Sequence, residues 1–330
     1  MLTLQRLQAL KAVGEEGSFT KAAEKLFYSQ SAVSQHIAAL ESYLKVPLVN
    51  RQPRGISLTQ AGRILSKHAD VIFQSIHDAE RDLAALSGAS GGELRIATFP
   101  TASSALMPRA ISMFHERHPD VKIFYSEMES EESLPKLLQG DLDLAIVFDY
   151  EVSPLEIDPE TLHLESIIEE PLFIALPKSH HLAGEKRLGL KDLKDEPWIG
   201  GNAFACSDSF LRLCIREGFQ PNIVFGSDDY ATVQGLIAHG MGIAMMPALA
   251  TLTVLDELVT IPLCRRTVPR RVHAAFPVGA YQLPAARALL DILIQVAPEA
   301  LEKTAVGKIS KRDPANVRTT QMAAGVNGSK

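Results

Sequence analysis

Gln30, Ser31, Ser34, Gln35 and Ala38 recur at spacings that bring them to one face of a helix. The chemistry open to such a face is hydrogen bonding to flat polar edges. A glutamine amide sets a donor beside an acceptor and can pair with adenine in the major groove. Serine can meet bases or phosphates, and alanine can touch a thymine methyl. No carboxylate falls among these five residues, and phosphates would repel one placed there. The same face would also suit plain exposure to water. Catalytic chemistry has little to build on: the chain has no HExxH, no Walker loop and no GxGxxG after a strand. Its ten histidines are scattered, and its three cysteines form no CxxC pair. That count gives no metal framework and fits a reducing compartment. Neither an enzyme nor a cofactor or metal site is expected.

The elements that must position the polar face can be read from periodicity. Leu4, Leu7, Leu10 and Val13 mark a first helix, and Phe19, Ala22, Ala23 and Leu26 a second, with Ser18 as its N-cap. Val33, Ile37, Leu40 and Leu44 mark a third, capped by Ser29. Only Phe27-Tyr28-Ser29 separates the last two, which is the layout of a helix-turn-helix. After Pro47, residues 48–51 and 56–58 flank a turn at Gln52-Pro53-Arg54-Gly55. This predicts a small hairpin whose arginines could reach phosphates or a minor groove. Thr59 then caps a helix running to about Leu86. In it Leu65, Ile72, Ala79 and Leu86 fall seven apart, beside a row made by Ile76 and Leu83. Such a heptad suits pairing with another helix, or packing against the protein's own body. Residues 87–92, SGASGG, read as a hinge.

From Glu93 the pattern becomes short apolar strands at 94–99, 122–128, 142–148, 171–176, 223–225 and 242–246. Helical stretches lie near 105–118, 131–140, 208–218 and 230–239. This alternation predicts an α/β domain with largely parallel sheets, whose ligands would sit beyond the carboxyl ends of the strands. A chain of 330 residues is expected to hold two or three folding units. The net charge of −6 divides unevenly: residues 1–65 carry eight Lys/Arg and four Glu, a surplus of +4, which leaves −10 for the remainder. A basic head on an acidic body suits phosphate binding by the head alone. No apolar run reaches the roughly 18–20 residues of a membrane span, and no signal-peptide layout opens the chain. A cytoplasmic location, away from membranes, is expected.

The stretches GSFTKAAEKLFYSQSAVSQHIAALE and VPLVNRQPRGISLTQAG closely resemble the DNA-binding head of LysR-type transcriptional regulators. LRIATFPT, LPKLLQGDLDLAIV, FIALPKSHHLA and VQGLIAHGMGIAMMP resemble the family's effector domain across about residues 93–300. The phrase with His180 and His181 is thereby accounted for as a surface turn. The resemblance implies a multidomain α/β protein: a mainly α winged helix-turn-helix, a long linker helix and a two-lobed effector domain like a periplasmic solute-binding protein. Residues 1–58 would form the DNA-binding domain, 59–87 the linker and dimerisation helix, 88–92 the hinge, and 93–303 the effector-binding domain. Lobe I would cover about 93–165 and 268–303, and lobe II about 166–267, with crossings near 163–168 and 262–270. The aperiodic stretch 304–330 is expected to be disordered.

The resemblance further implies that Ser29, Gln30, Ser31, Ser34 and Gln35 face the major groove, and that Arg54, with Arg51 in the same hairpin, serves the wing. Many members carry arginine where Gln35 stands, so a guanine contact gives way here to adenine reading or a weaker contact. Implied partners are double-stranded operator DNA, a small-molecule effector, further copies in a homodimer or homotetramer, and RNA polymerase. The effector cleft would draw on Thr98, Phe99, Pro100, Thr101 and Ser103, a hydroxyl-bearing turn that could hold a carboxylate. It would draw also on Phe148 and Asp149, on Gly201 and Asn202, and on Asp228. For Thr101, Ser103, Asp228 and Asp229 the alternative is simple helix capping. Glu127, Glu129, Asp149, Asp228 and Asp229 all sit at strand ends on that side, and an amine-bearing effector would suit them if several enter the cleft. Some members sense peroxide through a disulfide in the region of Cys206 and Cys214. Here Cys206 is displaced by one residue, and a buried structural Cys214 is the alternative. A transport receptor is the main rival function, and the basic head argues against it.

Overall fold

The computed structural model describes residues 1–52, 55–86, 92–201, 204–264, 269–278 and 283–307. The chain divides into two compact units, one formed by its first 89 residues with short segments at 138–141 and 279–281, and the other by the rest.

The first unit contains α1 (Leu4–Glu16), α2 (Phe19–Lys25), α3 (Gln30–Leu44), β1 (Val49–Gln52), β2 (Gly55–Leu58) and α4 (Gln60–Leu86). Capping sets these boundaries. Ser18 Oγ accepts from the Lys21 N–H at 3.4 Å, and Ser29 Oγ from the Ala32 N–H at 3.2 Å. Gly17 ends α1 in the left-handed region at φ 60°, where a residue without Cβ is unstrained. Thr59 Oγ1 accepts from the Gly62 N–H at 3.0 Å and donates to the Pro47 carbonyl at 2.7 Å. One side chain thereby starts α4 and ties it to the chain leaving α3. Leu10, Val13, Ala22, Val33, Ile37, Leu40 and Leu48 are buried together, which is why the three short helices hold as one body. Lys11 of α1 pairs with Asp70 of α4, and burial works against the Asp70 charge, raising its pKa.

The second unit holds two sheet-based lobes. In lobe I, β3 (Glu93–Thr98), β4 (Lys122–Glu127), β5 (Leu144–Tyr150), β6 (Leu162–Glu170) and β12 (Arg270–Pro277) form one sheet in the order β4-β3-β5-β12-β6. Every residue of β5 is buried, as expected for the central strand of a sheet covered on both faces. Helices α5 (Pro100–Ala105), α6 (Met107–Arg117), α7 (Ser130–Gln139) and α10 (Pro284–Lys303) accompany this sheet. Lobe II contains β7 (Leu172–Pro177), β8 (Pro197–Gly200), β9 (Asn222–Gly226), β10 (Ala244–Pro247) and β11 (Leu258–Pro262), with α8 (Phe204–Arg216) and α9 (Tyr230–Ala238). Here β10-β7-β11 form one sheet and β8-β9 another, bridged where Ile243 pairs with Trp198.

The sheets are mixed rather than largely parallel. β3 runs parallel to β4 and β5, and β8 to β9, but β12 is antiparallel to β5 and β6, and β7 is antiparallel to β10 and β11. The antiparallel members flank the two crossings between lobes, where the chain leaves one sheet and returns. The expected helix near 105–118 is two helices meeting at Leu106. The first crossing also falls later than the expected 163–168: β6 stays paired with β12 in lobe I through Glu170, and β7 of lobe II starts at Leu172. The second crossing lies between Pro262 and Arg270. Residues 87–91 of the expected hinge and 308–330 of the expected tail lie outside the described residues.

Candidate DNA-reading face and effector cavity

On α3, Gln30, Ser31, Gln35 and Ala38 are exposed, Ser34 is half-buried, and Val33, Ile37 and Leu40 point into the core. The helix therefore presents short hydroxyl and amide side chains on the side away from its packing. Ser29 is exposed too, but its oxygen is engaged in capping and lies 2.9 Å from Ser31 Oγ. Its neighbour Tyr28 packs its ring against His36, 5.9 Å between centroids. Glu41, the one acid of α3, turns to the following loop, where Oε1 accepts from the Leu48 N–H at 2.7 Å and the Val49 N–H at 3.3 Å. It thus leaves the outer face free of negative charge. Arg51 projects from β1 with its guanidinium 5.3 Å from the Phe19 ring centroid. Arg54 lies outside the described residues.

In the second unit a cavity opens between the lobes. Phe99, Phe148 and Tyr150 line it from lobe I, and Phe210, Tyr230 and Met245 from lobe II. Its polar wall comes from Thr101, Glu129, Ser227, Asp228 and Arg270. Its mouth is open to solvent, and its lining of aromatic and apolar side chains with a few polar groups has the composition of a small-molecule site.

Arg270 forms the floor and is 1% exposed. Its Nε donates to Glu170 Oε1 at 2.7 Å, and one terminal nitrogen donates to Thr101 Oγ1 at 2.6 Å. Glu170 Oε2 in turn accepts from the Leu249 N–H at 2.6 Å. The guanidinium carbon lies 4.9 Å from the Phe99 ring centroid and 4.8 Å from that of Phe148. Arg270 and Glu170 are also register partners at the two crossings. One buried chain of hydrogen bonds therefore links lobe I at Thr101, both crossings and lobe II at Leu249. A buried ion pair satisfied in this way resists separation.

Of the expected cleft residues, Phe99, Pro100, Thr101, Phe148, Gly201 and Asp228 line the cavity, and Asn202 lies outside the described residues. Three are corrected. Thr98 and Ser103 are buried against each other, their hydroxyls 2.6 Å apart, and do not reach the cavity. Asp149 is held by Arg271, with Nε–Oδ1 at 2.8 Å and a second contact at 2.9 Å, and by His273 Nε2 at 3.3 Å. Burial pushes the Asp149 pKa up, but these bonds and one from the Leu155 N–H outweigh it and hold the group below the usual carboxylate range. Asp229 caps α9, accepting from the Ala231 and Thr232 N–H groups at 3.0 and 3.2 Å. Glu127 is exposed on β4 and does not line the cavity, which leaves Glu129 and Asp228 as its carboxylates. Sequence reasoning missed Arg270 and the aromatic wall of Tyr150, Phe210 and Tyr230. Arg270 belongs to an Arg-Arg pair, and nothing in local sequence tells which of the two turns inward.

Cys214 is fully buried, and burial pushes its thiol up to about 12, away from reactive thiolate character. The Cys206 side chain is outside the described set. His180 and His181 stack at 4.5 Å and share Glu196. His180 Nδ1 accepts from the Leu182 N–H at 3.2 Å, so the neutral ring carries its proton on Nε2, the atom facing Glu196. That arrangement brings two imidazoles and one carboxylate together, with their nitrogen and oxygen atoms within 4.8 Å of one another.

A winged helix-turn-helix joined to a two-lobed domain with a cavity between its lobes defines a DNA-binding regulator controlled by a small molecule. Comparison with known proteins gives the family. Residues 4–63 match the model of the bacterial regulatory helix-turn-helix protein, lysR family, and residues 87–298 match the LysR substrate binding domain. The chain belongs to the LysR family of transcriptional regulators. It is 32% identical over 252 residues to the HTH-type transcriptional regulator AlsR of Bacillus subtilis, covering 76% of this chain and 82% of that protein. A probable RuBisCO transcriptional regulator of Trieres chinensis is 31% identical over 269 residues, covering 78% of this chain and 86% of its own. Among solved structures, an OxyR variant of Corynebacterium glutamicum superposes with a TM-score of 0.58 at 25% identity, over 91% of this chain and 94% of that one.

Proposed function

We propose that this regulator works in the cytoplasm as a homodimer or homotetramer and reads an interrupted palindrome through Gln30, Ser31, Ser34 and Gln35. An effector held by Phe99, Thr101, Phe148, Gly201 and Asp228 biases the arrangement of its lobes. The observation that carries this reading is the Thr101–Arg270–Glu170–Leu249 chain. It lies on the cavity floor and bonds to both lobes and both crossings, so a ligand there meets the groups that move if the lobes rotate. The effector acts as a population shift: it favours whichever lobe arrangement it binds more tightly, and thereby the spacing of the DNA-binding heads. RNA polymerase is the downstream partner, reached through that change in spacing and in DNA bend. The protein needs no cofactor and performs no catalysis.

Pairing through α4 is supported by Ile64, Val71 and Ile72, which are 54%, 48% and 37% exposed on the single chain. Apolar side chains on a helix that presents them to water suit a second copy of that helix. Phe124 and Tyr125 on β4, and Ile223 to Phe225 on β9, leave both edge strands apolar and exposed, which suits further association. Arg51 supports backbone contact beside the recognition helix, and Arg54 is assigned the wing role from sequence alone.

The reading is tested by incubating the purified protein with fragments of its source genome and sequencing what it retains. A few sharp peaks sharing an interrupted palindrome are expected. Diffuse recovery that disappears with moderate salt would reduce the head to unspecific phosphate attraction.

A further inference from the structure

The cavity wall carries an imbalance of charge. Among the described lining residues the ionisable acids and bases other than tyrosine are Glu129, Asp228 and Arg270; no lysine or histidine joins them. Arg270 is already matched by buried Glu170, whose Oε1 lies 2.6 Å from its terminal nitrogen, so the guanidinium brings no net positive charge to a ligand. Glu129 is different. Its Oε2 is buried, yet has no hydrogen-bond partner among the described residues. Buried acceptors left so are rare in folded proteins and call for a partner. A bound hydrogen-bond donor would supply one.

We propose that Glu129 anchors the ammonium group of an organic amine, whose apolar body lies against Tyr150, Phe210 and Tyr230 while Asp228 adds to the negative field. This rests on the reading of the cavity as the effector site and names the class of its ligand. The hydroxyl turn that could have received a carboxylate is otherwise engaged. Thr98 and Ser103 bond to each other, and Thr101 accepts from Arg270. An anionic effector would meet Glu129 and Asp228 with no free cation in the described wall to offset them.

The groups facing Glu129 agree on the consequence. Burial, then Glu131, Asp228 and Glu127 push its carboxyl up, Arg270 pulls it down, and the result is about 7. In the unliganded protein the carboxyl is therefore half protonated near neutrality. An ammonium ion needs the ionised form, so its affinity is expected to fall about tenfold per pH unit below pH 7.

The chain contains a single tryptophan, Trp198, whose ring lies 4.8 Å from that of Phe210 in the cavity wall. Its fluorescence gives a direct readout. The probes are phenethylamine and phenylacetate, with the same aromatic body and opposite charge. Saturable binding of phenethylamine in preference to phenylacetate is expected. So is a loss of at least about 30-fold for amine binding in Glu129→Gln, much of it restored by Glu129→Asp. Tighter binding of phenylacetate, absence of saturation by the amine at millimolar concentration, or equal amine affinity in Glu129→Gln would each overturn the proposal. If Glu129→Gln fails to fold, the pH profile of the wild type decides: a flat profile from pH 5 to 8 overturns it. Recovery of a palindromic operator is measured without any probe, so the regulator reading stands or falls separately.

Discussion

Gln35 and Ser29 sit six residues apart on the same exposed surface, and the structure gives them different duties. Ser29 caps α3, so Ser29→Ala is expected to destabilise the head by about 1 kcal/mol, read by thermal melting. Gln35 is exposed beyond the core contacts of α3, so Gln35→Ala is expected to leave the melting temperature alone. It should relax base preference at one operator position by about 1–3 kcal/mol, read by binding to single-base operator variants. The acids divide similarly. Because burial raises the Glu129 carboxyl to about 7, the folded protein loses stability as pH rises from the ordinary carboxylate range to 7. Glu129→Gln should therefore stabilise by about 1–2 kcal/mol at pH 8, after allowance for partial exposure, and by almost nothing at pH 4.5. Asp149 has the opposite sign. Its lowered pKa stabilises the fold above the usual carboxylate range and is lost in acid, so Asp149→Asn should cost about 2 kcal/mol at pH 7 and less below about pH 4. Sequence placed Asp149, Asp228 and Asp229 together at strand ends but could not separate them. Asp229 caps α9 through N–H groups two and three residues on, but that Asp149 pairs with Arg271 depends on a partner more than a hundred residues away.

At the scale of elements, local rules went furthest where contacts are local. Ser18, Ser29 and Thr59 were legible as caps, and the buried faces of α1 to α3 follow their spacing, because each cap accepts from an N–H three residues on. The strands β6 and β12 were not legible. Residues 162–170 of β6 carry polar and charged side chains among the apolar ones, and β12 opens on two arginines. Both owe their place to pairing across the crossings rather than to their own pattern. Close packing in the head allows a direct check. A Cβ on Gly62 would come within 2.1 Å of the Leu48 carbonyl oxygen, so Gly62→Ala should destabilise the head by about 2 kcal/mol or more in denaturant unfolding. Likewise Ile72→Asp on the exposed stripe of α4 should shift the assembly toward monomer by light scattering, because it places a charge where a partner helix would pack.

Taken whole, the chain separates a head of charge +4 from a remainder of −10, which keeps DNA attraction at one end. Operator affinity should fall with a slope on log salt set by the head's phosphate contacts, and Arg51→Ala should reduce that slope by about one. The two-lobed domain was legible as α/β from its alternation, and its cavity was partly legible because ligands gather beyond strand ends. Its floor was not, since Arg270, Glu170, Thr101 and Leu249 meet only when both crossings are in place. The central claim is that a ligand in this cavity controls how the heads meet DNA. The most direct test is a footprint on an operator fragment with and without metabolite extract from the source cell, comparing wild type with Ser227→Trp. Ser227 is a half-buried cavity residue, where an indole would fill the space. The extract should change the footprint of the wild type and leave that of the folded Ser227→Trp variant as it was. The same change in both proteins would contradict control from the cavity.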